Sequence, residues 1–186
     1  MPRTADTHLE KRILDAGYKL WSKGGASALT MRVVAKAAGT TTPTVYERFR
    51  DKHDLIRFLQ ARARQEMFAA TQPARSAQEA CRRALDFMLT HGHEYSLLTY
   101  DWAVQLERRE PMPTFEFLKK LLARELGDAP RKHTSLVLAL VALIHGTAGL
   151  LLAENPSGKT RSDVRRACLA ACESLIRSPS RMIPEK

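Results

Sequence analysis

Cysteine is scarce in this sequence, and the features of secreted, disulfide-stabilised proteins are missing with it. The three cysteines are Cys81, Cys168 and Cys172. An odd number of thiols does not make a closed disulfide framework and fits a reducing compartment better. The first six residues carry an acid and no apolar stretch. We therefore expect no secretory signal and a cytoplasmic protein.

The patterns of common catalytic sites are missing as well. The chain has no phosphate-binding loop, nucleophile elbow or paired-carboxylate arrangement, so we expect no enzyme activity and no cofactor. Two pairs leave a metal-binding interpretation open: His91 and His93, which flank one glycine, and Cys168 and Cys172, which are one helical turn apart. Neither pair has an identifiable third ligand, and core cysteines are commoner than metal ligands. We predict no metal site.

A long apolar run is present but is not built like a membrane span. Residues 133–153 carry no formal charge, and their length would suffice to cross a bilayer. The strictly apolar part extends only over residues 136–144, glycine and polar residues interrupt the remainder of the run, and no aromatic belt flanks it. We predict a helix buried in a bundle and no membrane partner.

Positive charge is plentiful and is denser in the first part of the chain. Thirty Lys and Arg stand against 20 Asp and Glu, giving a formal net charge of +10. Residues 1–72 hold 13 of the basic and 7 of the acidic residues. Such an excess favours a polyanion, either nucleic acid or an anionic surface.

Helix periodicity runs through the sequence and strand alternation is rare, so we predict an all-α fold. The first helix should stop at Gly24 and Gly25, and the fourth should reach about Ala70. Later helices are predicted at 76–91, 94–109, 113–126, 131–153 and 161–177. We expect two domains: a helix-turn-helix DNA-binding domain at 1–55 with three helices, and a helical bundle for ligand binding and dimerisation at 56–186.

The stretch from Thr30 to Lys52 indicates the helix-turn-helix. Two short helices are joined by a tight turn at Gly39, and in this arrangement the second helix enters the major groove. Their packing residues would be Val33 or Val34 with Ala35, Ala38, Val45 and Phe49.

The outward side chains of this stretch suit DNA. Threonine hydroxyls bond phosphates or base edges, arginine reads guanine or grips phosphate, and a lysine at a helix N-terminus favours phosphate. The predicted DNA-contacting residues are Thr30, Arg32, Thr41, Thr42, Pro43, Thr44, Tyr46, Arg48 and Lys52.

Residues 29–55 resemble the DNA-binding domain of the TetR (tetracycline-repressor-like) family. The matching features are a Thr opening the second helix, Ala-x-x-Ala-Gly at the turn, aliphatic-Tyr-x-x-Phe in the third helix and Lys-x-x-Leu opening the fourth. Pro43-Thr44 departs from the Ser and Gly residues of many members, which bears on the bases read. The resemblance implies DNA contacts at Thr30, Arg32, Thr42, Thr44, Tyr46 and Lys52, and implies a regulator, most often a repressor.

A second resemblance lies near the end of the chain. Residues 142–151 resemble the aliphatic-x-x-His-Gly pattern in the C-terminal domains of one TetR subgroup, without the Trp often found upstream. Ser135 and the small residues after it form a continuous stripe on the same helix. We hypothesise a four-helix interface between two copies of the chain, with ordinary intrachain packing as the alternative. The interface residues would be Ala139, Ala142, Gly146, Gly149, Ala153, Ala167, Ala171 and Ser174.

Such regulators usually sense a small molecule, and an apolar cavity with a few polar groups is the common form of that site. The candidate residues are amphipathic or aromatic and lie on the middle helices, where core packing is the alternative for each. They are Phe87, Met88, His91, Tyr95, Tyr100, Trp102, Phe115 and His145.

The sequence therefore predicts a homodimeric regulator whose partners are double-stranded operator DNA and a small-molecule effector. Two alternatives differ in class. One is a small helical metal-binding protein or enzyme with a basic surface, and the other binds a protein or a membrane surface through its basic face.

Overall fold

The computed structural model describes residues 7–154 and 156–178; the six residues on which the signal argument rests lie outside them. Within that part the chain forms ten α-helices and one 3₁₀ turn, with no strand, which confirms the all-α prediction. The helices are α1 (Thr7–Ala28), α2 (Met31–Ala37), α3 (Thr42–Tyr46), α4 (Lys52–Thr71), α5 (Ala77–Thr90), α6 (Gly92–Thr99), α7 (Trp102–Glu107), α8 (Pro113–Leu126), α9 (Thr134–Glu154) and α10 (Gly158–Arg177), and the 3₁₀ turn is Pro130–His133.

Local sequence signals set the ends of the first helices. Gly24 and Gly25 have non-helical backbone angles, so the regular part of α1 ends where the glycine pair predicts. Thr30, Thr41 and Asp51 are the N-caps of α2, α3 and α4, and each side chain accepts a backbone N–H three residues on. These caps satisfy donors that the first helical turn leaves unpaired.

The helix-turn-helix core is largely the predicted one. Val34, Ala35, Val45 and Phe49 are at most 2% exposed, and Ala38 is also buried. Of the two valines predicted as alternatives for this core, Val34 is the buried one, because Val33 is 42% exposed. Phe49 also meets Phe58 of α4 edge to face, with ring centroids 5.2 Å apart.

Helix α4 joins the two parts of the molecule. Its Leu55, Ile56, Leu59 and Ala63 belong to the hydrophobic cluster of α1–α3, and that cluster also takes in side chains of α5 and α6. The other cluster is formed by α5, α8, α9 and α10, where α5 packs between α4 and α9. The cluster that supports the DNA-binding region therefore continues past residue 55.

The helix predicted at 94–109 is wrong: two helices, α6 and α7, occupy this segment. The break lies at Tyr100, whose backbone is extended, and at Asp101, which has a φ of 50°. The carbonyl of Tyr100 accepts hydrogen bonds from the amides of Gln60 and Gln105, both at 2.8 Å. The side chain of Gln60, 40 residues away in sequence, thus helps to stabilise a break that local helix propensity does not indicate.

The 3₁₀ turn and α9 together, Pro130–Glu154, are long and apolar enough to cross a membrane by length and composition, and they are the one candidate span found among the described residues. The expectation of a helix enclosed by its own bundle holds for one side only. Leu136, Val137, Leu140 and Ile144 are buried. Of the most apolar 18-residue window, however, only 33% is buried. The opposite face of α9 is exposed.

Candidate DNA-binding head and ligand cavity

The third helix presents polar side chains outward, as a DNA-reading helix must. Gly39 has a φ of 65°, a left-handed conformation that suits glycine, and it ends α2. Helix α3 then begins with Pro43 in its first turn and buries Val45 completely. Tyr46 beside it is 53% exposed. Thr41 and Pro43 are also exposed, while Thr42 and Thr44 are half-buried.

The threonines of this region form hydrogen bonds within the protein, apart from any contact with DNA. The Thr41 hydroxyl accepts the N–H of Thr44 at 3.4 Å, and the two hydroxyls are 2.8 Å apart. The Thr30 hydroxyl accepts the N–H of Val33 at 3.2 Å. Thr30 and Thr41 are therefore helix caps, so a substitution at either would weaken a helix as well as remove a hydroxyl.

The predicted basic residues of this region differ in how freely they face outward. Arg32 is exposed on α2. Arg48 is half-buried and reaches the Thr44 carbonyl at 3.5 Å and the Glu47 carboxylate at 3.8 Å. The ammonium of Lys52 donates to the Ala26 carbonyl at 2.5 Å, which ties the start of α4 to the end of α1.

The sequence prediction omits Lys36, an exposed basic residue of α2. Lys36 lies one turn after Arg32 and is also exposed. Residues four apart share a face of a helix, so the two side chains project from the same side of α2. The i, i+4 spacing of these two basic residues is the sequence signal that predicts their shared face.

A small apolar cavity of about 70 Å³ lies in the helical body. Four of the eight predicted ligand residues line it: Met88, Trp102, Phe115 and His145. The sequence prediction missed the wall residues that are small, aliphatic or sulfur-containing, together with one arginine. These are Arg64, Met67, Ala80, Cys81, Ala84, Leu98, Met112, Pro113, Thr114, Leu118, Val141 and Ile144.

The other four predicted ligand residues lie outside the cavity wall. Phe87 and Tyr100 pack in the cluster of the first helices. His91 stacks on Phe87, with ring centroids 4.4 Å apart. Tyr95 donates its hydroxyl to the backbone carbonyl of His145 at 2.9 Å and so supports the wall from behind.

His145 is one of the polar residues on the cavity wall, and two aromatic rings lie close to its imidazole. Its imidazole centroid lies 5.7 Å from that of Tyr95 and 5.5 Å from that of Trp102. Among the described residues none forms a hydrogen bond with its ring nitrogens. Burial lowers the pKa of His145 to about 4, because the charged imidazolium loses its hydration there. At neutral pH it is an uncharged donor and acceptor.

A polar cluster connects α4 to the segment after the helix break. Arg64, buried on α4, donates to the side-chain carbonyl of Gln105 at 2.7 Å and lies 3.5 Å from the Glu110 carboxylate. Glu110 also pairs with Arg57 at 3.0 Å. Burial lowers the pKa of Arg64, an effect that the Glu110 charge opposes. We define these residues, with Gln60, as the α4–α7 polar cluster.

The three cysteines lie together in the body rather than in pairs on the surface. All three cysteines are free and buried, and the Cys81 thiol, on the cavity wall, lies near that of Cys172. The interaction with Cys172 and burial raise the pKa of Cys81. Across the described ranges, no group of three or more His, Cys, Asp or Glu side chains is arranged to hold a metal ion.

The small-residue stripe divides between exposed and inward positions. Ser135, Ala142, Gly146 and Ala153 are exposed on α9, and a Cβ added at Gly146 would meet nothing within 4 Å. Ala139 and Gly149 are half-buried, and a Cβ at Gly149 would lie 3.2 Å from the Tyr95 hydroxyl. Two large apolar side chains, Leu138 at 45% and Leu150 at 64%, are exposed on α9 as well.

The neighbouring helix continues this surface. Helix α10 packs against α9, with Ala167 and Ser174 exposed and Ala171 half-buried. We call the exposed small and apolar residues of α9 and α10 the α9–α10 face.

One protein family and a set of solved structures match this chain. Residues 13–58 match the family described as "Bacterial regulatory proteins, tetR family". No curated protein sequence matches the chain.

Several solved structures share the fold over most of their length. One is the multidrug binding protein EbrR complexed with imidazole: TM-score 0.68, 23% identity, covering 100% of this chain and 95% of that one. A tetR-family transcription regulator from Shewanella sp. PV-4 gives a TM-score of 0.69 at 17% identity, covering 88% and 95%. NalD, the secondary repressor of the MexAB-OprM efflux pump in Pseudomonas aeruginosa, gives 0.61 at 23%, covering 90% and 94%. At these identities the likeness is one of fold.

Proposed function

We infer, from the TetR-family DNA-binding domain in residues 13–58 and the TetR-like fold of the remaining helices, that this protein is a homodimeric transcriptional regulator. It binds a palindromic operator through α3 and responds to a small-molecule effector held in the helical body, most simply as a repressor. The observation that carries the proposal is the outward face of α3, where Tyr46 is 53% exposed while its neighbour Val45 is fully buried.

We assign base reading to the exposed side chains that form no hydrogen bond within the described part of the protein. No described residue hydrogen-bonds the Tyr46 hydroxyl, and Arg32 is exposed one turn from Lys36. An exposed arginine and a tyrosine hydroxyl are groups that reach base edges and phosphates in the major groove. Thr42, Pro43 and Thr44 complete the reading surface, and Thr30, Arg48 and Lys52 set its position through their contacts with the protein backbone.

Dimerisation supports the same function. Two-fold symmetry repeats one head at a fixed distance, as a palindromic operator requires. The α9–α10 face supplies a self-complementary surface for that symmetry, since small residues let two helices approach closely. The neighbours NalD and EbrR, described as a repressor and a multidrug binding protein, support a ligand-responsive role for the body.

The test is operator binding measured by fluorescence anisotropy over a series of salt concentrations. Fragments selected from genomic DNA by the protein should bind about 10³-fold or more tighter than random DNA of equal length. Equal affinity for selected and random fragments would contradict a specific regulator and favour the basic-surface alternative.

Two variants separate specific reading from general charge. Arg32→Ala should weaken operator binding by about 1–3 kcal/mol, because an exposed contact group is lost. Lys120→Ala removes the same charge from the exposed side of α8 and should leave the affinity within about twofold of the unchanged protein. Equal losses in both variants would show that only net charge matters.

A further inference from the structure

We infer that the cavity of the helical body takes an uncharged aromatic molecule of one or two rings that hydrogen-bonds the imidazole of His145. The inference rests on the proposed function only in treating the cavity as the effector site. It specifies the charge, the shape and the polar contact of the ligand.

A cation does not fit the wall. None of the described residues that line the cavity is an aspartate or a glutamate, and one of them is Arg64. A positively charged ligand would lose its hydration without gaining a counter-charge, and it would face a like charge. Burying an unpaired ion costs several kcal/mol, even after the protein relaxes.

An anion lacks a partner as well. The Arg64 guanidinium already contacts Gln105 at 2.7 Å and Glu110 at 3.5 Å, and its side chain is 9% exposed. An anionic ligand would have to displace Glu110 from Arg64 and so break that ion pair. His145 offers no positive charge, because its lowered pKa keeps it neutral.

The remaining wall favours an aromatic ligand. Three methionines (Met67, Met88 and Met112) supply thioether sulfurs, and Trp102 and Phe115 supply ring faces and edges. Sulfur–aromatic and ring–ring contacts stabilise an aromatic guest beyond the burial of its area. Methionine also adapts its shape, so such a wall accepts a planar molecule.

His145 offers a directional contact inside this wall. The ring nitrogens of His145 have no partner among the described residues. A neutral imidazole presents one donor and one acceptor, so a hydroxyl or a ring nitrogen on the ligand would be bonded there. Such a bond fixes the orientation of an otherwise apolar guest.

The size of the ligand follows from the volume and from the wall that can move. The cavity measures about 70 Å³, well below the roughly 300–1,000 Å³ of sites for drug-sized ligands. The three methionines of the wall (Met67, Met88 and Met112) change their side-chain conformation at little cost. One or two rings can therefore enter, and larger frames cannot.

The experiment uses four bicyclic probes of nearly equal size, measured by equilibrium dialysis at pH 7.5. They are naphthalene and 2-naphthol, which are neutral, 2-naphthoate, which is an anion, and N-methylquinolinium, which is a cation. We expect 2-naphthol to bind best and N-methylquinolinium about 100-fold more weakly, in line with the cost of an unpaired ion. Equal or tighter binding of either ion, or binding of none of the four at about 0.1 mM, a concentration at which all four dissolve, would overturn the inference.

His145 is tested by a variant that keeps the ring. His145→Phe should lower the affinity for 2-naphthol about five- to twentyfold, the loss of one buried hydrogen bond, and change that for naphthalene less than about twofold. His93→Gln, on an exposed histidine outside the cavity, is the matched control and should change neither. An equal loss for both probes in His145→Phe would mean that the imidazole only shapes the wall.

The charge argument is tested independently at Thr114, which lines the cavity in the first turn of α8. An acid is favoured there by the helix dipole, so Thr114→Glu should fold. It should raise the affinity for N-methylquinolinium about tenfold relative to Thr114→Gln. No gain in the Glu variant would show that lack of a counter-charge is not what excludes cations.

These measurements do not involve DNA, so the two proposals fail separately. Correct ranking of the probes together with equal binding of selected and random DNA would overturn the regulator and leave the cavity chemistry standing. Specific operator binding with an inverted ranking would do the reverse. If both hold, saturating 2-naphthol should shift operator affinity, because two ligands of one protein that prefer different conformations change each other's affinity by the same factor.

Discussion

At the scale of single residues, the neutral, half-buried imidazole of His145 lowers the stability of the fold at acidic pH. The folded chain holds the pKa of His145 near 4, and an unfolded histidine titrates near 6.5. Between these values the unfolded chain binds a proton that the folded chain does not, so stability falls as pH is lowered through this window.

We therefore expect His145→Phe to change the pH dependence of folding. From pH 7.5 to pH 4.5 the unchanged protein should lose about 2–3 kcal/mol that the variant keeps. Urea unfolding at the two pH values measures it, with His93→Gln as the control that keeps the loss. An identical pH dependence in His145→Phe and the unchanged protein would contradict the burial of an uncharged ring.

His133 is a position where a substitution should stabilise the protein, because its polar ring forms no hydrogen bond within the described residues. It is 3% exposed, and neither ring nitrogen has a hydrogen-bond partner among the described residues. Unpaired buried polar atoms cost about 1–3 kcal/mol. We expect His133→Leu to stabilise the protein by about 1 kcal/mol in urea unfolding, and a loss above 2 kcal/mol would show that the nitrogens are bonded after all.

At the scale of elements, the sequence is most informative where the structure is local. The ends of α2, α3 and α4 follow from Thr30, Thr41 and Asp51, because a cap and its helix are neighbours in the chain. The break between α6 and α7 does not follow, because it depends on Gln60, about 40 residues away. Only the folded arrangement brings that amide to the Tyr100 carbonyl.

Cavity residues differ in how far the sequence reveals them. The types of Met88, Trp102, Phe115 and His145 suit a ligand, and the sequence predicts them. It does not predict Ala80 and Ala84, since a small side chain becomes part of a wall only through the helices that pack around it. The type of Phe87 suits the cavity as well, but its packing places it in the cluster of the first helices.

The α4–α7 polar cluster gives a prediction about how this break is held. Glu110→Gln removes the charge that faces Arg64, whose side chain is 9% exposed, and leaves a buried guanidinium unpaired. We expect a loss of about 2–3 kcal/mol, somewhat below the value for fully buried pairs.

Glu116→Gln is the matched control for this prediction. It breaks the pair with Lys119 at 2.7 Å, in which the glutamate is 58% exposed, and should cost less than about 1 kcal/mol. Chemical unfolding of both variants compares them, and equal losses would show that the Glu110 pair contributes no more than a surface pair.

At the scale of the whole molecule, we expect the α9–α10 face to determine the state of assembly. Gly146 has open space where a side chain would grow, so Gly146→Arg should leave the single chain folded. In the proposed dimer the same arginine would meet the partner's helix and place an unpaired charge in the interface.

Sedimentation in detergent-free buffer measures the outcome. The unchanged protein should have twice the 20.9 kDa mass of the chain, and Gly146→Arg should be a monomer. Ala69→Arg, at an exposed position of α4, should remain a dimer. A monomeric unchanged protein would dispose of the dimer and leave the apolar face of α9 to another partner.

Helix α4 has one more consequence, for how the molecule comes apart. Its Leu59 and Ala63 are buried in the cluster that holds the DNA-reading helices, while its Met67 packs against both clusters. Melting either half would strip the other of part of its own interior. Calorimetry should therefore record one heat-absorption peak, with the calorimetric enthalpy equal to the van't Hoff value for each folding unit.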